Sequence, residues 1–234
     1  MKRPEGWGWG VAGEAVVITA SILLALAVDA WWNGLQDRQA EQQALASLQG
    51  EFTASLAELH RAREVHQARC DATARVRLSL VPSPRAESPD SLAELLRRMS
   101  LISTVNAPVG VLNSLIAGGG LSLIEDDDLR AALAGWPERM ADHRESEDFI
   151  FVVVRDQWRP WLFARGRVEP SWARTEGPGD EAFDPVGLTA LLEDREFQNM
   201  ITAYDSDCGF VLDDSRALEQ DVQGMLSLIS RNLD

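Results

Sequence analysis

Residues Val11–Trp32, VAGEAVVITASILLALAVDAWW, constrain this chain more than any other stretch. From Ala15 to Val28 no side chain is charged, Trp7 and Trp9 precede the run, and Trp31 and Trp32 close it. Trp9 to Trp31 is 22 steps, which at ~1.5 Å per residue spans roughly 33 Å, close to the ~30 Å hydrocarbon core of a bilayer. Tryptophans at both edges suit the two membrane–water interfaces. The stretch therefore predicts a single transmembrane helix, with everything after it held at one membrane face. A cleavable signal peptide competes with this reading, because Met1-Lys2-Arg3 is a basic start and Ala25-Leu26-Ala27 resembles a cleavage site. Glu14 at the head of the run and the four framing tryptophans favour the anchor.

Two carboxylates inside such a helix need a partner or a place near the interface. Glu14 and Asp29 are 15 residues apart, which puts them about 60° apart around a helix, and Gly10, Ser21 and Ala25 project within about 40° of Glu14. Small and polar residues thus make one stripe, the pattern by which one membrane helix packs against another. The plainer alternative is that Glu14 and Asp29 each reach a membrane surface. Lys2 and Arg3 against Glu5 place the N-terminus on the cytoplasmic side by the positive-inside rule. The large domain is then periplasmic if the membrane is a bacterial inner membrane.

Beyond the anchor and its tail, residues 1–34, residues 35–234 are enough for one domain of ordinary size. From Asn33 onward the chain has 20 Lys and Arg against 34 Asp and Glu, about −14 in all. That field repels nucleic acid and anionic headgroups, so no nucleic acid is expected among the partners. Leu45, Leu48, Phe52, Leu56, Leu59 and Ala62 recur at steps of three and four, which predicts an amphipathic helix over 35–80 running straight out of the membrane. Pro82, Pro84 and Pro89 mark a loop near 81–90, with Asp90 or Ser91 capping the helix that follows and Glu94 completing a capping box. Turns are expected near 106–110 and 118–127, and a long loop at 166–187. Glu125-Asp126-Asp127-Asp128 reads as a helix N-terminus rather than a calcium loop, since the DxDxDG spacing is missing. Trp136-Pro137 is expected to interrupt a helix, and Asp207-Cys208-Gly209 to break the last one. Phe149–Val154 is expected to be buried helix despite its β-branched residues, and Trp158, Trp161 and Phe163 to cluster in the core. The fold class is all-α: a transmembrane helix followed by a membrane-external bundle of long helices.

Cys70 and Cys208 are the two cysteines. In an oxidising compartment they would join the first long helix to the last; in the cytoplasm they would be two thiols. Catalytic signatures are missing: there is no GxSxG elbow and no HExxH. His66 and Cys70 share a helix face at i, i+4, as do His60 and Glu64, but these pairs and His143 do not specify a metal site, and a solvated helix face is expected for each histidine. The membrane helix has no histidine to serve as an axial ligand. No catalytic residue, cofactor, metal or small-molecule substrate is assigned.

Three stretches together resemble one widespread family of single-pass bacterial membrane proteins with a domain of unknown function. They are GEAVVITASILLALAVDAWWN, VGVLNSLIAGGGLSLIEDDDLRAAL and DREFQNMITAYDSD. Glu14, Leu24, Ala25, Leu26, Trp31, Gly119, Leu121, Leu123, Ile124, Leu129 and Arg130 fit that pattern, whereas Asp29 stands where the family tends to have Asn and Trp32 departs from it. The resemblance implies an anchor with a helical external domain and no known reaction. The expected function is a non-enzymatic accessory or scaffolding subunit that binds other membrane protein subunits, a bioenergetic assembly, respiratory or photosynthetic, being the first candidate host. The alternatives are a periplasmic sensor or small-ligand module, which needs an apolar pocket, and a hydrolase, which needs a hidden carboxylate pair or metal.

Overall fold

The computed structural model describes residues 7–81, 87–165 and 190–233, and every regular element in them is helical. The elements are α1 (Trp7–Ser79), α2 (Pro89–Met99), α3 (Gly110–Ala117), a 3₁₀ turn (Gly120–Leu123), α4 (Asp127–Val152), a π-helical segment (Val153–Trp158), α5 (Arg159–Arg165) and α6 (Arg195–Leu233). The expected loop at 166–187 and Pro82 and Pro84 lie outside the described residues.

Anchor and stalk are one helix. α1 runs for 73 residues, roughly 110 Å, and among the described residues only its part from Ala40 onward packs against other elements. There the contact face is a continuous seam: Leu45, Leu48, Phe52, Ser55, Leu59, Ala62, His66, Arg69, Thr73 and Val76 follow in steps of three and four, each at most 1% exposed. Ser55 takes the place in the seam that was expected of Leu56. The same alternation runs through α4 from Leu129 by Trp136, Met140, His143 and Glu147 to Val154, and through α6 from Phe197 by Tyr204, Cys208 and Ser215 to Ile229. An average period of 3.5 keeps one face of each helix toward its neighbours, as in coiled coils. α6 runs antiparallel to α1, as the pairs Arg77–Asp205, Arg63–Glu219 and Gln42–Asn232 show. α4 runs with α1, since Asp126 meets Asn232 and His143 meets Asp214.

These seams override two expected breaks. Pro137 lies inside α4, and Gly209 inside α6. Trp136 and Met140 are buried on either side of Pro137, with Trp136 edge-on to Phe52 at 5.2 Å. Cys208 and Val211 do the same around Gly209. Burial of this kind outweighs the roughly 1 kcal/mol glycine penalty, and tertiary packing also holds the proline turn in helix.

Between α2 and α4 the chain forms a strap held by carboxylates. Ser88, not Asp90 or Ser91, caps α2, accepting from the Ser91 N–H with Pro89 in the first turn. Glu94 instead pairs with Arg97 and Arg98. Residues 101–109 then run without regular structure back along the bundle. Glu147 accepts from the Val105 N–H at 2.9 Å, Glu51 from the N–H groups of Val111 and Leu112 at the start of α3, and Glu41 from the Glu125 N–H. α3 ends at Gly118, and Gly119 adopts φ +71°, a left-handed turn that favours glycine. Asp126 caps α4 by accepting from the Leu129 N–H, the role expected of the acidic run.

The seam residues divide into two apolar cores. One, at the far end from the anchor, gathers Val76, Leu96, Met99, Trp158, Trp161, Phe197 and Ile201; the other, nearer the anchor, gathers Leu45, Leu48, Phe52, Leu112, Trp136 and Leu218. Trp158 and Trp161 enter the far core, stacked near Phe197, while Phe163 is exposed. Phe149–Val154 is helix, with Ile150, Val153 and Val154 buried.

Candidate functional site

The first candidate is the free half of α1. The apolar window is long and hydrophobic enough to cross a membrane, with mean hydropathy 1.7 and none of it buried. Leu24 is 67% exposed and Trp31 65%, and Glu14, Ser21, Ala25 and Asp29 are exposed as well. Since α1 is regular here, Glu14 and Asp29 keep the roughly 60° separation of a helical projection. Ser21 donates its hydroxyl to the Val17 carbonyl at 2.8 Å, so its donor is used within its own helix and only its oxygen remains for a neighbour. Gly10, Trp7 and Trp9 lie on the same helix, but their surroundings fall outside the described residues. Trp32 is exposed. From Asn33 to Gln39 α1 stays exposed, and packing starts at Ala40 and Glu41. Trp32 to Glu41 is about 14 Å of bare stalk.

The second candidate is a polar layer between the two cores, at mid-bundle. Here the seam places His66, Arg69 and Thr73 of α1 opposite His143 and Glu147 of α4 and Ser215 of α6, all buried. The expectation of solvated histidines fails for two of three. His60 is exposed beside Glu219, but His66 and His143 are at most 1% exposed. His143 Nδ1 lies 2.6 Å from the Asp214 carboxylate, and its Nε2 lies 3.6 Å from Glu147 Oε1, which His66 Nε2 approaches to 3.8 Å. Burial works against a charged imidazole at His143, but the two flanking carboxylates outweigh it and raise its pKa. Burial likewise works against ionised Glu147, yet the histidines and the Val105 N–H bring it down to about 2. The layer is an ion cluster that ties α1, α4, α6 and the strap at one level. Polar groups at seam positions fix register at some cost in stability. No group of three or more His, Cys, Asp and Glu suited to a metal ion occurs among the described residues.

Next to this layer Cys70 and Cys208 form a disulfide between α1 and α6, with Cα atoms 5.4 Å apart. A groove of about 450 Å³ opens between the π-helical segment and α6, floored by Trp161 and Tyr204 and edged by Gln157 and Asp207. Burial pushes the Asp207 carboxyl up and the Tyr204 phenol to about 12; the Tyr204 hydroxyl donates to the Met99 carbonyl. Tyr204 therefore serves packing rather than proton transfer near neutral pH. Compared with protein-family models, curated proteins and solved structures, the chain matches none.

Proposed function

We propose that this protein is a non-catalytic, single-pass accessory or scaffolding subunit of a larger membrane assembly. The observation that carries the reading is the free half of α1. It presents an apolar surface on all sides, with Glu14, Ser21, Ala25 and Asp29 on it and no contact from the other described residues. Lipid accommodates the apolar side chains. The two carboxylates need a polar neighbour, and a second membrane helix packed along that stripe supplies one. The Cys70–Cys208 disulfide supports an oxidising location for the bundle, which agrees with a cytoplasmic N-terminus and a periplasmic domain. A membrane-anchored small-ligand module is the second reading, favoured by the groove over Trp161 and Tyr204, whose volume falls within the ~300–1,000 Å³ of ligand sites.

Isolation of the chain from native membranes in mild detergent, followed by mass spectrometry, separates the two. Stoichiometric recovery with one set of membrane proteins, lost in a Glu14→Leu/Asp29→Leu variant that still inserts, supports the subunit reading. A lone chain overturns it in favour of the ligand module.

A further inference from the structure

We infer that Arg69 holds a small monatomic anion, chloride in size and charge, inside the polar layer of the bundle. The guanidinium is fully enclosed, and its Nε, Nη1 and Nη2 have no hydrogen-bond acceptor. An arginine cannot escape this by losing its proton, so its five N–H donors and its charge both persist in the interior. Unpaired buried charge is among the costliest arrangements a fold can hold.

The shortage is one-sided. His66, three residues earlier on the same face of α1, has both ring nitrogens without a hydrogen bond, so at least one more N–H lacks an acceptor. No buried carboxylate or hydroxyl oxygen among the described residues is left over. None of the nearby oxygens accepts from the Arg69 guanidinium: Glu147 takes the Val105 N–H, and the Tyr204 and Thr73 hydroxyls donate to the carbonyls of Met99 and of Arg69 itself. What the Arg69 guanidinium lacks is a contacting species that accepts hydrogen bonds and carries negative charge. Arg69, His66 and Thr73 are each at most 1% exposed, so phosphate or an organic acid would have to part the packed helices, and a monatomic anion disturbs them least. Water supplies acceptors but leaves the charge uncompensated, and is the competing occupant.

The test is thermal unfolding of the full chain in detergent, followed by tryptophan fluorescence, with sodium chloride exchanged for sodium gluconate at constant ionic strength. A bound anion raises the midpoint by about 3–5 °C for each tenfold increase in chloride above its dissociation constant. Arg69→Met, which removes the charge and keeps the length, is expected to fold and to lose that response. A wild-type midpoint indifferent to chloride, or an equal response in Arg69→Met, overturns the inference in favour of water or a general salt effect. If Arg69→Met does not fold, chloride-35 NMR decides: line broadening by the folded wild-type chain beyond that of the unfolded chain supports the site, and no excess rules it out.

Discussion

The two halves of α1 share one unbroken backbone and meet opposite surroundings. Between Leu45 and Val76 the large apolar side chains lie in or beside a seam of period 3.5, and the exposed face carries small, hydroxyl and charged residues such as Ser47, Thr53, Ala57, Arg61, Glu64 and Asp71. Between Val16 and Trp32 they cover the helix on all sides, and all of them are exposed. A helix that is apolar all round belongs in a protein core or in a bilayer, and none of the described residues encloses it. The comparison teaches that the pattern of apolar residues, not their number, distinguishes a helix that has its partner in the chain from one that does not.

Breaking the disulfide tests the inner half hardest. It closes a separation of 138 residues, and loss of such a link costs about 2–5 kcal/mol. Cys70→Ser/Cys208→Ser is expected to lower bundle stability by that amount in denaturant titration while membrane insertion is unchanged. The same substitution made in both halves sharpens the contrast. Leu48→Ala, in the seam, is expected to cost about 2–5 kcal/mol of bundle stability, whereas Leu24→Ala changes it by less than about 0.5 kcal/mol.

Acidity separates the halves further. Glu147 is held down to about 2, so its contribution, on the order of 3 kcal/mol, is complete above its usual value near 4.5 and fades as pH falls toward 2. The raised pKa of His143 acts in the other sense: its contribution is complete below about 6.5 and is lost as pH rises through the folded value. Bundle stability is expected to peak between about pH 4.5 and 6.5, and Glu147→Gln to remove the acid limb of the profile. A profile that stays flat as pH falls from about 4.5 toward 2 and as it rises above about 6.5 contradicts the ion cluster. A small effect is expected at Glu94→Ala, which removes exposed pairs with Arg97 and Arg98 and changes stability by less than about 1 kcal/mol.

Much of the architecture was legible because its signals are local. The tryptophan-framed run is contiguous in sequence, and the glycines after α3 and the acidic start of α4 each act within one or two helical turns. Pro137 and Gly209 misled because breaker residues were weighed alone. The steps Leu133, Trp136, Met140 and Tyr204, Cys208, Val211 keep seam phase straight across them, a regularity present in the sequence. The same phase could have located His66 and Arg69, which continue the series from Leu59 and Ala62. What it could not supply is their company: Glu147, His143 and Asp214 come from helices more than 70 residues away, and their meeting depends on the register between helices. The use of Glu41 and Glu51 as caps for distant backbone was hidden for the same reason.

An uninterrupted α1 also acts as a torsion shaft. With no hinge between Trp32 and Glu41, the azimuth of the bundle relative to the apolar half of α1 is set by the residue count of that segment. Two residues added at Asn33-Gly34 would swing the whole bundle through about 200° and lift it by only about 3 Å, while four would lift it by about 6 Å and turn it by about 40°. Any partner that engages both halves of α1 at once would therefore tolerate the second change far better than the first, and the length of a stalk that touches none of the other described residues governs which side of the bundle such a partner meets.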